Sequence, residues 1–204
     1  MGDGCVGKLA SFIHWKIEGG VASDSYFPKV LEVGSGNGEH LKYVKHKYDK
    51  YIESDIRLGN NLKKTEKVLR KVLDAESLIE IKSESIDRLI ATCLIVHLTN
   101  PEDALIEWRR VVKSKNGEIT IYVPCEPGFL LRLVRYLTTR RKASKLGYNH
   151  LSIHYREHRN SWILSNLLIS EVFSGWSIRR KRFPFGFLSW NFSLFDVYHI
   201  TPKT

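Results

Sequence analysis

The segment Val30 to His40, VLEVGSGNGEH, constrains this chain more than any other stretch. An apolar run suited to a buried strand meets glycines at three alternate positions, Gly34, Gly36 and Gly38, where a helix is expected to begin. Glycine tolerates the left-handed backbone of such a turn and lets a ligand approach the main chain closely. A dinucleotide fingerprint would put its third glycine at position 39, which is Glu39 here, so the spacing argues against a nicotinamide cofactor.

The flanking sequence alternates in the manner of an α/β fold. KVLEV (29–33), YIES (51–54), VLRKVL (68–73), IDRLIATCLI (86–95) and EITIYV (118–123) read as strands. Between them 39–47, 58–66 and 101–112 read as helices, the last with Asn100 as cap and Pro101 at its first position. Strand and helix in alternation predict a parallel sheet with helices on both faces. After a helix over 161–173 the rhythm changes: 176–183 and 194–201 read as strands joined by a ten-residue connection, which favours an antiparallel pair. Of the 204 residues, 43% are hydrophobic, enough for a sizeable core, so disorder and a fibrous fold are excluded. The expected organisation is a single domain over 1–204, with a cofactor half at about 29–123, an insertion at about 124–160 on the substrate side, and a C-terminal helix and strand pair at about 161–204.

Glu32 followed by Gly34, Gly36 and Gly38 resembles the first motif of the class I S-adenosylmethionine-dependent methyltransferases. The later segments follow the family's order: Asp55 ends the second strand, Asp74 and Ala75 follow the third, and IDRLIATCLIVHL leads from the fourth into a short helix with a histidine. NPEDALIEWRRVVKSKNGEITIYVP is similar to the helix, turn and fifth strand of a subgroup that includes ubiquinone-pathway enzymes, with Lys115, Asn116 and Gly117 where the family usually has Pro-Gly-Gly. The resemblance implies a Rossmann-like, mostly parallel seven-stranded sheet and an S-adenosylmethionine site. That site would use Glu32, Gly34, Ser35, Gly36 and Gly38, then Asp55 with Ile56, Asp74 with Ala75, and Thr92 with Cys93. A carboxylate in the place of Asp55 can accept hydrogen bonds from both ribose hydroxyls.

Methyl transfer to a hydroxyl requires a base, and His97, just past the fourth strand, is the first candidate. His150, His154 and His158 recur every four residues and would share a helix face, so His150, His154, Tyr155 and Arg156 are candidates for lining an acceptor site. No acidic or cysteine set beyond Glu157 accompanies them, and no metal is expected. In PCEPG, Cys125 follows the fifth strand rather than the fourth, which argues against the thiol chemistry of cytosine C5 methyltransferases.

Charge points to the acceptor. The chain carries 32 Lys and Arg against 22 Asp and Glu, and residues 132–182 alone hold twelve cations against Glu157 and Glu171. Arg132, Arg135, Arg140, Arg141 and Lys142 fall in the insertion, and Arg179, Arg180, Lys181 and Arg182 on a strand beside the aromatic FPFGFLSWNF. A basic entrance for an anionic small molecule or lipid-linked acceptor is expected, with peripheral membrane contact as a corollary and nucleic acid less favoured, since no RNA-binding module is appended. Three dispersed cysteines, no apolar run near about 18 residues and no signal peptide fit a cytoplasmic protein; nothing in the pattern sets an oligomeric state.

Overall fold

The structure is a computed structural model that describes residues 5–57, 65–140, 143–144 and 146–203, without the side chains of residues 5, 6, 150 and 153. Seven strands, β1 (Lys29–Val33), β2 (Lys50–Asp55), β3 (Val68–Val72), β4 (Arg88–Ala91), β5 (Glu118–Pro124), β6 (Trp176–Phe183) and β7 (Phe195–Pro202), form one sheet in the order β3-β2-β1-β4-β5-β7-β6. β1 to β5 run parallel, and β7 is antiparallel to both β5 and β6. This is the Rossmann-like seven-stranded sheet that the resemblance implies, with the antiparallel C-terminal pair that the ten-residue connection favours.

Strands buried on both faces explain the near-continuous apolar runs. On β1, Val30 packs toward α1 (Cys5–Glu18) in a cluster with Ile17, Tyr51, Ile90 and Phe195. Its neighbours Leu31 and Val33 point the other way, into the larger core with Leu89 and Ile121. That core is closed by α2 (Pro101–Val111) through Leu105 and Trp108 and by α5 (Trp162–Val172) through Leu168 and Ile169. The insertion contributes α3 (Phe129–Arg135), a π turn at Tyr136–Arg140 and α4 (His150–Glu157).

Strand order reverses between β1 and β4, so their loops diverge at the carboxyl ends and open a crevice there. Local departures from the predicted elements cluster around it. The expected helix over 39–47 is reduced to a 3-10 turn at Leu41–Tyr43, because Val44 is already extended and ends the turn. The expected strand 86–95 stops at Ala91: Cys93 has φ +55°, which breaks the ladder, and Ile95–His97 is a 3-10 turn. Most of the 58–66 helix lies outside the described residues, and Thr65 bridges to Val68. Asn100 does not cap α2 with its side chain; Nδ2 donates instead to Glu76 Oε2 at 3.2 Å.

β6 is an edge strand, and this accounts for its run of cations, since charged side chains discourage pairing with another chain. Among the described residues, no helix is long and apolar enough to cross a membrane.

Candidate functional site

The glycine turn has the geometry its composition demands. Gly34, Gly36 and Gly38 have φ of +68°, +53° and +72°. A side chain at Gly38 would collide with Glu53, and one at Gly34 with Leu94, whereas Gly36 faces open space. Asp55 ties the turn to β2: its Oδ2 accepts from Gly36 N at 2.9 Å and its Oδ1 from Arg57 N at 2.9 Å.

A cavity of about 350 Å³ opens on this turn. Glu32, Gly34, Ser35 and Gly36 line it from β1 and the turn, Thr92 and Cys93 from the exit of β4, and Tyr122 from β5. Ile13 and His14 of α1 and His40 close it from the amino-terminal side. Six of the residues proposed from sequence therefore meet around one space. Gly38 and Asp55 shape the turn without being among the lining residues, while Ile56 is 64% exposed beside Asp55. Asp74 is exposed and accepts from Glu76 N; Ala75 is buried, and its carbonyl accepts from Trp108 Nε1 at 2.9 Å.

Glu32 is the unusual group in this cavity. It is wholly buried; Oε2 accepts from the Tyr51 hydroxyl at 2.8 Å, and Oε1 has no hydrogen-bond partner among the described residues. Burial pushes its carboxyl up to about 7, against the opposing pull of His40 and Tyr51. Below it lies a second buried acid with the opposite fate. Arg88 Nη1 and Nη2 each donate to Glu18 at 2.9 Å, and His40 Nε2 donates to the same carboxylate at 3.0 Å. Burial alone would raise Glu18, but Arg88 and His40 outweigh it and hold the carboxyl near 2. His14 Nδ1 is 3.0 Å from His40 Nδ1, and burial followed by His40 lowers His14 to about 4, so it lines the cavity as a neutral imidazole.

A second cavity, of about 520 Å³, lies beneath the insertion. Phe129, Leu133, Tyr136 and Leu151 give it apolar walls, and Arg132, Arg135, Arg140 and Arg159 give it positive charge. His154 and Tyr155 also line it; Arg156 does not, and the side chain of His150 lies outside the described residues. Arg135 lies near enough to Cys93 and Tyr122 of the first cavity to act on both electrostatically. His97 sits to one side with Nδ1 donating to Glu157 O at 2.9 Å. Burial and the neighbouring His158 lower its pKa.

One expectation, that the β6 cations join the basic entrance, is corrected by these contacts. The cations of β6 do not converge on the second cavity: Arg179 donates to Gly20 O, Arg180 to Asn166 Oδ1, and Arg182 makes a two-point pair with the buried Asp196. Trp190 stacks on Trp162 at 5.4 Å as part of the core, while Phe187 is 86% exposed. Cys125 is buried, and burial with Asp196 nearby pushes its thiol up to about 12, far from the depressed values of thiolate nucleophiles. Glu126, which sequence reading passed over, enters the second cavity with His154 and His158; one donor atom from each lies within 4.8 Å of the others.

Known proteins share this fold. Residues 31–120 match a family model described as a methyltransferase domain. A search of curated proteins found no match. Among solved structures, a Thermotoga maritima S-adenosylmethionine-dependent methyltransferase described as a possible histamine N-methyltransferase is 19% identical, with 96% of this chain and 90% of that chain covered and a TM-score of 0.61. A Mesorhizobium loti S-adenosylmethionine-dependent methyltransferase is 10% identical over 94% of this chain and 99% of that one, with a TM-score of 0.63. The methyltransferase CalH, solved with S-adenosylhomocysteine, is 13% identical over 98% of this chain and 59% of that one, with a TM-score of 0.58. Over residues 31–120 the chain is similar to that methyltransferase domain, and its seven-stranded order is the fold it shares with these solved S-adenosylmethionine-dependent methyltransferases.

Proposed function

We propose that the enzyme methylates a non-protein acceptor of anionic character, such as a glycan, a lipid-linked sugar or a quinone-like metabolite, held in the cavity beneath the insertion. The observation that carries this reading is the adjacency of the two cavities: one opens on the glycine turn and Cys93, the other is lined by four arginines, and Arg135 acts across the boundary. When bound, S-adenosylmethionine supplies a methyl group already activated by its sulfonium, so the chain's task is alignment and exclusion of water. Arg132 and Arg140 draw in the anionic part of the acceptor, and the apolar wall of Phe129 and Tyr136 takes the rest. Exposed Phe129 and Tyr136 among these arginines, with exposed Phe192 against Phe129, support delivery from an anionic membrane surface for a lipid-linked acceptor.

On the cofactor side, an unpartnered buried carboxylate oxygen aimed at the cavity suits an ammonium group, and Glu32 would receive the amino-acid end of S-adenosylmethionine. An ammonium favours the ionised carboxyl, so binding at pH 6 expels the proton that Glu32 holds with a pKa near 7. Titrations of S-adenosylhomocysteine at pH 6 in two buffers of different ionisation heat are expected to show this proton release. Glu32→Gln removes it and weakens binding about 10- to 100-fold; an unchanged buffer dependence in the variant excludes the assignment.

Replacing Arg132 and Arg140 together by Gln is expected to raise the acceptor KM about 10-fold or more while S-adenosylhomocysteine affinity stays within about 2-fold. The experiment screens anionic and neutral acceptor candidates for methyl transfer with labelled cofactor. Equal loss of cofactor and acceptor binding, or a preference for neutral acceptors, contradicts the basic entrance.

A further inference from the structure

Five titratable side chains gather at the acceptor cavity, four lining it and His97 beside them. Glu126 follows β5, Arg135 ends α3, His154 lies in α4, His158 follows α4, and His97 is on the turn after β4. His158 Nδ1 is 2.7 Å from Glu126 Oε2, and the rings of His154 and His97 stand 4.1 and 4.6 Å from that of His158. A carboxylate only accepts, so Nδ1 of His158 carries the proton in this bond and Nε2 becomes the basic atom.

Two carboxylate or imidazole neighbours and His158 have the spacing of a metal site, but Arg135 already serves as the cation. It pairs with Glu126 and its Nη1 is 3.0 Å from His154 Nε2, so two of the three prospective ligands face a permanent guanidinium charge. A dication added there would meet strong repulsion. The same contact distinguishes the histidines. His154 spends its Nε2 lone pair on Arg135, and His97 donates to a neutral carbonyl that stabilises an imidazolium less than a carboxylate does. Among the described contacts of the three, His158 makes a charge-assisted bond of 2.7 Å to Glu126, whereas His154 stands 3.6 Å from the same oxygen.

Backbone bonds hold both partners. Arg159 N and Asn160 N donate to Val96 O at 2.7 and 3.2 Å, and Asn160 Nδ2 donates to Ile95 O and Leu98 O, each at 2.8 Å. Trp162 N donates to Glu126 O at 2.7 Å. His158 is thereby fixed to the exit of β4, the strand end that also presents Thr92 and Cys93 to the cofactor cavity.

We propose that Glu126 and His158 form a carboxylate–histidine general base and that the acceptor is methylated on a hydroxyl oxygen. This rests on the reading of the two cavities as cofactor and acceptor sites. His158 Nε2 takes the hydroxyl proton while an oxygen lone pair forms the bond to the methyl carbon. The carbon–sulfur bond breaks with its electron pair going to sulfur, which leaves a neutral thioether. The resulting imidazolium is stabilised by Glu126, whose charge Arg135 balances at rest, and the proton then passes to water. Glu157 and the arginines at 132, 140 and 159 complete the charged surroundings.

The test uses the full chain, S-adenosylmethionine and two matched probes, 3-hydroxybenzoate and 3-mercaptobenzoate. The carboxylate of each suits the arginines, but a phenol needs its proton removed at neutral pH, whereas an aryl thiol is largely ionised. His158→Gln is expected to lower kcat/KM for the phenol by about 10²- to 10⁴-fold and to change thiol methylation only a few-fold. Glu126→Gln should act in the same direction, and His158→Gln carries the test alone if that variant does not fold. Equal losses on both probes indicate a structural role and overturn the proposal. Loss of phenol methylation on chelation, restored by a divalent metal, overturns it in favour of a metal site. Wild-type transfer to the thiol alone, or to neither probe while S-adenosylhomocysteine binds, overturns the hydroxyl assignment; failure to bind S-adenosylhomocysteine instead overturns the two-cavity reading beneath it.

Discussion

Arg88→Met is expected to lower the free energy of unfolding by about 3–5 kcal/mol, measured by urea denaturation. Arg88 is the first residue of β4 and has no exposed surface; its guanidinium meets both oxygens of Glu18 at the end of α1 and reaches Thr120 Oγ1 at 3.3 Å. Removing the cation leaves Glu18 buried with His40 as its one remaining side-chain partner among the described residues. The double change Glu18→Gln with Arg88→Met should recover most of the loss, because the cost lies in stranding one charge. The pair also sets the acid limb of stability. Glu18 has a folded pKa near 2 against about 4.3 unfolded. Its contribution is therefore present above the unfolded value and is lost as pH falls from about 4 through 2. Single variants within about 1 kcal/mol of wild type would show that the pair does not anchor α1.

Gly36→Val is expected to weaken S-adenosylhomocysteine binding by about 100-fold or more while the fold survives. The substitution costs about 1–3 kcal/mol for a φ of +53°, but a Cβ meets no atom within 4 Å, so its bulk projects into the cavity space rather than the core. Gly38→Ala makes the contrast. Its Cβ would lie 2.5 Å from Glu53 Oε1, and Glu53 is held by Arg70 Nε at 2.7 Å with both side chains buried. A stability loss of about 2–5 kcal/mol follows there. Calorimetry and thermal unfolding on the two variants separate a binding effect from a folding effect; matching losses in both would contradict the placement of the cavity on Gly36.

The legible part of the chain was the part whose backbone is dictated locally. Glycines at alternate positions specify a turn with positive φ, and β1, β4 and β5 are apolar enough on both faces to announce a parallel sheet. The same logic misjudged 39–47, where a polar stretch with helical composition is pinned by tertiary contacts such as His40 to Glu18 instead of by turns of its own. α1 escaped notice because Gly7, His14, Lys16 and Glu18 interrupt its pattern; Leu9, Ile13 and Ile17 at helical spacing are its signal. Net charge gave half an answer. Arg132 and Arg140 line the acceptor cavity, while Arg182 is spent on Asp196 and Arg179 on Gly20. Glu126 was invisible because its significance depends on His158, which lies 32 residues away in sequence.

The central claim, that the glycine turn and the end of β2 hold S-adenosylmethionine, is tested most directly by titrating S-adenosylhomocysteine into the wild-type protein and Asp55→Ala. Asp55 accepts from Gly36 N and stands beside the cavity, so its loss should disturb the turn and remove a carboxylate suited to ribose hydroxyls. One-to-one binding in the micromolar range, weakened about 10-fold or more in the variant with an unchanged circular dichroism spectrum, is the predicted result. Absence of binding heat at about millimolar ligand, or equal affinity in both proteins, would contradict it.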